Sequence, residues 1–448
     1  MIDSMVMRLR NGLLVVVVLL AGGLAYWMST RIFATRLISL TPRDGGAVGA
    51  FGTIELGFDR PMDEQSVQAV FQIEPALPGR WVWAANTARF IPTRPFQTGT
   101  RYHLNLTAGA RSAQGSPLNA GLQTTFQVRP AAIVYLSPAG GPGEVWRADP
   151  GAAQPRQLTS TGGGVLDFAA SAQGDAIIYA VRQPAGGSDL WEIDRDGANA
   201  HLLLACAPAR CLGTAWSPDG ARIAFSRIPG GGSAQIWTAD PRSGQSAPLY
   251  PHQDVLGQDP SWSPDGALLA FYDIGARGIR IIDLATSAQS LVTTTQAALS
   301  TWTPDGKYLI YNALHPGAES PADQVMAYDP VAHSAAPFLG KAADAPDYGL
   351  PAWSADGTWL AVGIRDVQGA VARQLWLLHG DGSDAQAITS DPLSNAAAPR
   401  WDPWGDRLVF QSFRLGASDS TSAVMLWERT TQKLSVLAEN GSSPEWLP

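Results

Sequence analysis

The sequence predicts an all-β protein in which a β-sandwich precedes a seven-bladed β-propeller, with an N-terminal transmembrane helix before both. Three observations predict this order. An uncharged apolar run occupies residues 13–28, short strands with alternating apolar residues fill residues 37–129, and a tryptophan motif recurs through residues 130–448. Many short strands with Gly and Pro between them are typical of sandwiches and propellers.

The apolar run at residues 13–28 is flanked by arginines on both sides. Its length is near the lower limit for a helix that spans a bilayer, and Tyr26 and Trp27 suit an interfacial aromatic belt. We therefore expect residues 1–36 to be a cytoplasmic stub and signal anchor, and the rest of the chain to be extracytoplasmic on a single-pass protein of the cell membrane. The alternative is a cleaved signal peptide with a weak small-x-small site at residues 23–25.

Residues 37–129 contain segments such as Ile54–Phe58 in which apolar and polar side chains alternate. Alternation with Gly and Pro punctuation predicts a β-sandwich. Two carboxylates in this region, Asp59 and Asp63, have turn and cap roles in this interpretation; the alternative is that they bind an ion.

The repeated motif reads Trp-Ser-Pro-Asp-Gly at residues 216–220 and 262–266, and three variants follow it. Proline ends one strand, and Asp-Gly supplies a tight turn into the next strand. The tryptophan is large enough to fill the wedge between neighbouring blades. We predict a structural role for the following motif residues: Trp216, Asp219, Trp262, Asp265, Trp302, Asp305, Trp353, Asp356, Trp401 and Trp446.

The period of the motif, about 45 residues with four short strands in each unit, is that of a propeller blade. A degenerate copy at residues 168–174 has Phe168 in place of the tryptophan, and a truncated copy at residues 444–448 ends the chain. Counting both gives seven blades. The chain enters the propeller at residues 132–136, in the second strand of a blade, and Trp446 supplies the first strand of that blade, which closes the ring.

The repeats resemble those of the TolB family over residues 131–448, through their Trp-Ser-Pro-Asp-Gly cores and the Asp-x-Asp-Gly-x-Asn segment at residues 194–199. Seven blades depart from the six that are frequent in that family. Residues 38–128 resemble the bacterial Ig-like domain of S-layer and other surface proteins, through landmarks at residues 41–45, 58–63 and 90–92. This second resemblance implies a spacer or adhesion module without catalytic residues.

The chain has two cysteines, Cys206 and Cys211, five residues apart. In an exported protein such a pair predicts a disulfide. The alternative is a metal pair, but no further cysteines or clustered histidines complete a tetrahedral site.

No catalytic motif stands out. The formal net charge of −8 argues against a nucleic-acid partner, and the sequence lacks a G-x-S-x-G elbow, an H-E-x-x-H motif and a P-loop. We therefore predict no catalytic residue, no cofactor and no metal. Asp167, Asp259 and Arg400 are the candidates for an axial site. The segment at residues 194–199 resembles the start of a calcium loop, but Ala205 stands where a bidentate glutamate belongs, which favours a hairpin turn.

The expected function is that of a binding or scaffold protein, not an enzyme, which is held at the membrane by its N-terminal helix and presents a propeller face to a protein or a cell-envelope polymer. One alternative is a propeller hydrolase or lyase that acts on carbohydrate or peptide at the axial channel. Another is a structural component of the cell surface. Convergence of three or more acidic or histidine side chains within hydrogen-bonding distance at one mouth of the channel would favour the enzyme.

Overall fold

The computed structural model of this chain describes residues 34–141, 143–152, 154–250, 255–294, 299–314, 322–340, 346–366, 371–416 and 422–448. These residues fall into two compact units. The first contains residues 34–48 and 53–128, and the second contains residues 49–52 and 129–448.

The first unit contains eight strands and one helix in its described residues. Their bounds are β1 (Leu37–Thr41), β2 (Gly46–Val48), β3 (Ile54–Phe58), α1 (Glu64–Val70), β4 (Phe71–Glu74), β5 (Gly79–Ala84), β6 (Thr87–Pro92), β7 (Arg101–Leu106) and β8 (Leu122–Val128). They form two four-stranded sheets, with the orders β1-β3-β6-β5 and β2-β8-β7-β4. This is a β-sandwich.

The core of the sandwich follows from the alternation of residues along each strand. In β7, Tyr102, Leu104 and Leu106 are buried, whereas Arg101 and His103, which alternate with them, are exposed. The Tyr102 ring stacks on Phe126 of β8, with ring centroids 5.4 Å apart. Side chains on one face of each strand therefore fill the space between the sheets.

The two carboxylates considered as ion ligands lie in local turns. Asp63 precedes α1, and its Oδ1 accepts a hydrogen bond from the Ser66 amide at 3.1 Å, which caps the helix. Asp59 accepts one from the Arg36 amide at 3.1 Å and pairs with Arg60.

The prediction of a single-pass membrane protein is corrected at this point. Across the described residues, no helix is both long and apolar enough to cross a membrane. The one helix found there, α1, has seven residues and so reaches about 10 Å, against a hydrocarbon core of about 30 Å. The span predicted at residues 13–28 lies outside the described residues. We therefore do not retain a membrane anchor, or the extracytoplasmic location that was derived from it.

The second unit consists of short strands in its described residues. Their bounds are β9 (Ala132–Ser137), β10 (Glu144–Ala148), β11 (Arg156–Gln157), β12 (Val165–Ala170), β13 (Ala176–Arg182), β14 (Ser188–Asp194), β15 (His201–Leu204), β16 (Arg210–Trp216), β17 (Ile223–Ile228), β18 (Gln235–Ala239), β19 (Ser246–Pro248), β20 (Gly257–Trp262), β21 (Leu268–Asp273), β22 (Gly278–Asp283), β23 (Gln289–Thr293), β24 (Ser300–Trp302), β25 (Leu309–Leu314), β26 (Asp323–Asp329), β27 (Ser334–Leu339), β28 (Asp347–Tyr348), β29 (Ala352–Trp353), β30 (Trp359–Arg365), β31 (Gln374–His379), β32 (Gln386–Ala387), β33 (Ser394–Trp401), β34 (Arg407–Arg414), β35 (Ala423–Glu428), β36 (Lys433–Ala438) and β37 (Ser442–Leu447).

Consecutive strands pair as antiparallel sheets, for example β20-β21-β22-β23 and β33-β34-β35-β36. The first strands of neighbouring sheets contact one another, as β12 does with β16 and β16 with β20. We call these first strands the inner strands: β12, β16, β20, β24, β28 with β29, β33 and β37. Radial repetition of such sheets around an axis is a β-propeller.

The last strand shares a sheet with the first strand of this unit. β37 pairs antiparallel with β9, so that Trp446 lies opposite Ile133 and Leu447 opposite Ala132. The sheet order is β11-β10-β9-β37. Its inner strand therefore comes from the end of the chain, whereas its other strands lie within residues 132–157.

In the structure, the tryptophan position of the degenerate motif lies two residues later than the sequence predicted. Ala170 lies opposite Ile177, as Trp216 lies opposite Ile223 in the next sheet. Ala170, and not Phe168, therefore holds the tryptophan position. The misalignment has a simple origin, because residues two apart in a strand point to the same face, and Phe168 is buried there.

The motif aspartates stabilise their own turns. Ser217 Oγ donates to Asp219 Oδ1 at 2.6 Å, and the same oxygen accepts from the Ala221 amide at 3.1 Å. Asp265, Asp305 and Asp356 each accept an equivalent bond at 2.6 Å from the Ser or Thr two residues earlier. Each aspartate thus holds the turn between an inner strand and the strand that follows it.

Cys206 and Cys211 are joined by a disulfide between β15 and β16. Both side chains are buried in the core of this part of the propeller.

Candidate functional site at the propeller axis

Several inner strands carry a β-bulge at one shared position, three residues before the motif tryptophan. Gly213, Asp259, Ala398 and Ser443 occupy this bulge position with φ of 62°, 55°, 52° and 52°. Positive φ is uncommon for residues other than glycine, and a bulge redirects the side chain it carries. Asp167 lies at the same distance before Ala170, but in β12 the register shifts between Val165 and Asp167, and Asp167 itself pairs with Ala180.

A cavity of about 520 Å³ lies among these strands. Its wall is formed by residues of β16, β20, β24, β29 and β33 and includes Trp302, Trp353 and Trp401 of the motif. Asp259 and Arg400 are the charged side chains of this wall, and both are exposed.

Asp167 lies on β12 beside this cavity. One inner strand, β16, stands between it and Asp259 on β20. Its Oδ2 accepts a hydrogen bond from the Gly213 amide at 2.7 Å. Removal from water raises the pKa of Asp167, the bonds from backbone amides oppose that rise, and the charge of Asp259 adds to it. Gly213 separates the two carboxylates, since a Cβ atom built on it would lie 3.5 Å from Asp259 Oδ1.

Glu445 is the second carboxylate held away from water near the axis. Its Oε2 accepts a hydrogen bond from the Ala170 amide at 2.9 Å. Removal from water raises the pKa of Glu445 to about 6; the Arg400 charge acts against this rise and the Asp167 charge adds to it. A carboxyl group with a pKa near 6 changes charge close to neutral pH.

Asp259 and Arg400 present opposite charges in the wall of the cavity. Loss of hydration raises the pKa of Asp259. Arg400 Nη1 donates to the carbonyl of Pro399 at 3.2 Å. The site therefore combines one guanidinium with three carboxyl groups whose affinity for protons is raised, which suits binding of polar or charged groups and proton exchange with them.

The described part of the chain holds no group of three or more His, Cys, Asp or Glu side chains placed to bind a metal ion. The segment at residues 194–199 forms a turn: Asn199 Nδ2 donates to Asp194 Oδ2 at 2.6 Å, and Asp196 pairs with Arg147 at 2.7 Å.

Four charged residues lie near the axis, and three of them, Asp167, Asp259 and Arg400, were candidates from the sequence. Glu445 was missed. A signal for it was present, because it immediately precedes a motif tryptophan, and Ala215, Ser261 and Ala352 hold that place in other copies. The motif aspartates, by contrast, lie in the turns that follow the inner strands and not at the bulge position.

Comparisons with known proteins agree with this architecture. Residues 33–128 match the family model described as Bacterial Ig-like domain. Among solved structures, the chain is similar to a puromycin-hydrolyzing peptidase of Mycobacterium tuberculosis at 15% identity, with 89% of this chain and 56% of that chain covered and a TM-score of 0.53.

The chain is also similar to TolB from Acinetobacter baumannii at 20% identity, over 71% of this chain and 83% of that chain, with a TM-score of 0.46. A third similar structure is the β-propeller domain of the Trilobed protease from Pyrococcus furiosus, at 12% identity over 61% and 84% of the two chains, with a TM-score of 0.48. No curated protein sequence matches the chain. At these identities the similarities concern the fold alone.

Proposed function

We propose that this chain is a binding protein in which a closed propeller of seven blades presents its axial cavity to a protein or a cell-envelope polymer. The count of seven is supported by the inner strands β12, β16, β20, β24, β28 with β29, β33 and β37. Five of them lie in separate sheets, whereas β12 and β16 belong to one eight-stranded sheet in which β14 pairs with β16 through Ser188 and Arg210. Closure is supported by the pairing of β37 with β9.

The observation that carries the proposal is the composition of the cavity wall. Arg400 and Asp259 bring opposite charges to a wall that also contains motif tryptophans. Arginine and tryptophan are enriched at the centres of protein interfaces, where they supply much of the binding energy. The wall is built on paired strands, so its side chains are positioned before a partner arrives.

Site-specific photocrosslinking in intact cells tests this proposal. Leu299 lines the axial cavity and is 62% exposed, whereas Val436 is 55% exposed on the outer strand β36. With a photoreactive residue at Leu299 we expect a discrete captured partner, which is absent when the same residue is placed at Val436. Arg400→Ala should reduce the capture at Leu299 at least tenfold. Equal capture at both positions, or capture that is indifferent to Arg400, would contradict an axial binding site.

A second candidate function is a hydrolase or lyase that acts on carbohydrate or peptide at the same cavity. It is favoured by one observation, the rise of the Glu445 pKa to about 6 beside the Arg400 charge. A carboxyl group with such a pKa is suited to general acid–base catalysis near neutral pH.

The two candidates differ in their response to Glu445→Gln, because glutamine keeps the shape of the side chain and cannot exchange a proton. An enzyme would lose activity on chromogenic glycoside or peptide substrates by at least a hundredfold. A binding protein would show no turnover with either chain and would still capture its partner at Leu299.

A further inference from the structure

Most of the motif tryptophans tie neighbouring sheets together through one hydrogen bond, which we call the indole bridge. In each bridge, Nε1 donates to the carbonyl of the residue that precedes the tryptophan position of the previous sheet. The bridges are Trp216 to Ala169, Trp262 to Ala215, Trp302 to Ser261, Trp401 to Ala352 and Trp446 to Arg400, at 3.0–3.2 Å.

Trp353 departs from this pattern. The pattern would direct its indole to the Thr301 carbonyl on β24. Its Nε1 instead donates to the Gly380 carbonyl at 3.0 Å, within its own sheet. Its ring packs on Phe338 of β27, with centroids 5.6 Å apart. The sheets that begin at β24 and β29 are therefore neighbours without an indole bridge.

The motif glycine gives a second, independent indication that this seam is open. A Cβ atom built on Gly266 would lie 3.5 Å from Pro218 Cδ of the previous motif, and one on Gly306 would lie 3.6 Å from Pro264 Cδ. The equivalent partner of Gly357 is Pro304, yet a Cβ atom on Gly357 would have no neighbour within 4 Å. The motif turns thus contact each other at the two preceding seams and stand apart here.

A cavity of about 730 Å³ lies in this seam near the motif turns, beside a buried core that the two sheets share through residues such as Val325 and Val362. We call it the Trp353 cleft. Its wall includes Tyr308, Phe338 and Trp353, and also Ile310 and Pro337. Its volume lies within the usual range of ligand pockets, and so does its largely apolar and aromatic wall with a few polar groups.

The charged residues in the wall of the Trp353 cleft are acidic. Asp305, Asp329 and Asp356 all belong to its wall. Backbone amides at residues 331 and 332 lower the pKa of Asp329, and hydrogen bonds from Ser354 and Thr358 outweigh desolvation to lower that of Asp356, so both are ionised at neutral pH. Lys307 lies over the Tyr308 ring at 4.9 Å and brings one opposing charge.

We propose that the Trp353 cleft binds an arginine side chain of an extended polypeptide partner. The negative charge of the wall favours a cationic ligand. The aromatic side chains of the wall favour a cation that is planar and has an apolar stem. A guanidinium stacks on an indole face and binds carboxylates through paired hydrogen bonds, whereas the ammonium of lysine is a compact charge on a flexible stem. The site is separate from the axial charges, although Trp353 and Pro304 contribute to both cavities.

Calorimetric titration of the full chain with the probe N-acetyl-Ala-Arg-Ala-amide tests the proposal. We expect saturable binding that weakens at least tenfold when the arginine of the probe is replaced by glutamate, and several-fold when it is replaced by lysine. Asp329→Asn should weaken binding of the arginine probe three- to tenfold, since it removes one carboxylate from the wall.

Matched variants locate the site. Asp283 occupies the turn equivalent to Asp329 in the preceding sheet and binds its turn amides in the same way, so Asp283→Asn should leave the affinity unchanged. Asp259→Asn at the axis should also leave it unchanged. Trp353→Phe, checked for an unaltered melting temperature, should weaken binding. Equal affinity for the arginine and glutamate probes, or equal losses from Asp329→Asn and Asp283→Asn, would overturn the proposal.

Discussion

Two seams of the propeller are built from similar motifs, with Ala355 in place of a proline in the second, and differ in the carbonyl that accepts the indole hydrogen bond. At the seam between β16 and β20, Trp262 is 8% exposed and its indole reaches across to the Ala215 carbonyl. At the seam between β24 and β29, the Trp353 indole turns back to Gly380, and a cleft lies beside the shared core of the two sheets. Similar motifs thus produce either a seam with an indole bridge or a cleft, depending on which carbonyl accepts the hydrogen bond of the tryptophan Nε1.

The seam between β37 and β12 is a third case. Ala170 holds the tryptophan position there and has no indole to donate. The Glu445 carboxylate instead connects β37 to β12, since it accepts a hydrogen bond from the Ala170 amide. The two seams that lack an indole bridge are therefore next to the two candidate binding places, the Trp353 cleft and the axial charges.

The largest effect should come from truncating a sealed tryptophan. Trp262→Ala removes a buried side chain together with its bridge and should destabilise the propeller by about 3–5 kcal/mol. Trp353→Ala should destabilise it by about 1–2 kcal/mol, because that ring borders a cleft, is only partly buried and makes no indole bridge to the neighbouring sheet. Calorimetric melting of the full-length variants measures both changes.

Trp401→Ala is the matched control, since Trp401 is also buried and makes a bridge. It should resemble Trp262→Ala. Were Trp353→Ala to destabilise the chain as much as these two variants, the distinction between the seams would fail.

A smaller, pH-dependent effect should distinguish the seam at Glu445. The folded-state pKa of about 6 exceeds the ordinary value of 4.5, so the folded chain holds this proton more tightly than the unfolded chain. Protonated Glu445 therefore contributes roughly 2 kcal/mol to the free energy of unfolding. This contribution is fully present below about pH 4.5 and is lost as the pH rises through about 6. Denaturant unfolding across this pH range measures the loss.

Glu445→Gln cannot ionise, so its free energy of unfolding relative to the native chain should rise between pH 4.5 and pH 6.5. Glu439→Gln, at an exposed position six residues earlier in the chain, is the matched control. A parallel pH dependence of the Glu445→Gln and native chains would show that this carboxyl group titrates as it does in water.

The smallest effect should come from the motif turns. Asp265→Ala removes the acceptor of two hydrogen bonds, from Ser263 Oγ at 2.6 Å and the Ala267 amide at 3.0 Å, and should destabilise the propeller by about 1 kcal/mol. Asp356→Ala should have a similar effect on melting, and in addition it should weaken binding of the arginine probe. Loss of probe affinity in Asp265→Ala would remove the difference between the two turns.

Much of the fold could be predicted from the sequence, because its determinants are local. The motif fixes a strand, a turn and a wedge residue, which is why the all-β class, the propeller and the bacterial Ig-like domain were all recognisable. The predicted membrane anchor was wrong: it was inferred from an apolar run with flanking arginines and aromatic residues, and the described residues contain no helix long and apolar enough to cross a membrane. The shift from Phe168 to Ala170 arose because residues two apart share a face of the strand.

The candidate sites could be predicted only in part, because they depend on contacts between sheets. Asp167, Asp259 and Arg400 were recognisable as polar residues near the starts of inner strands. The role of Glu445 depends on Ala170, which lies 275 residues earlier. The Trp353 cleft was not foreseeable, since the motif around Trp353 differs from that around Trp262 only by Ala355 in place of a proline, and the direction of its indole is set by Gly380 and Phe338 across the fold.

All of these sites presuppose a ring that the last strand completes. Hydrogen exchange of the Ala132–Ser137 segment, compared between the full chain and a chain that ends at Gly441, tests this most directly. If β37 covers β9 as its register indicates, the amides of this segment should be protected in the full chain and exchange at least tenfold faster in the shortened one, while Leu268–Asp273 of β21 should change far less. Equal exchange of Ala132–Ser137 in the two chains would contradict the closed propeller.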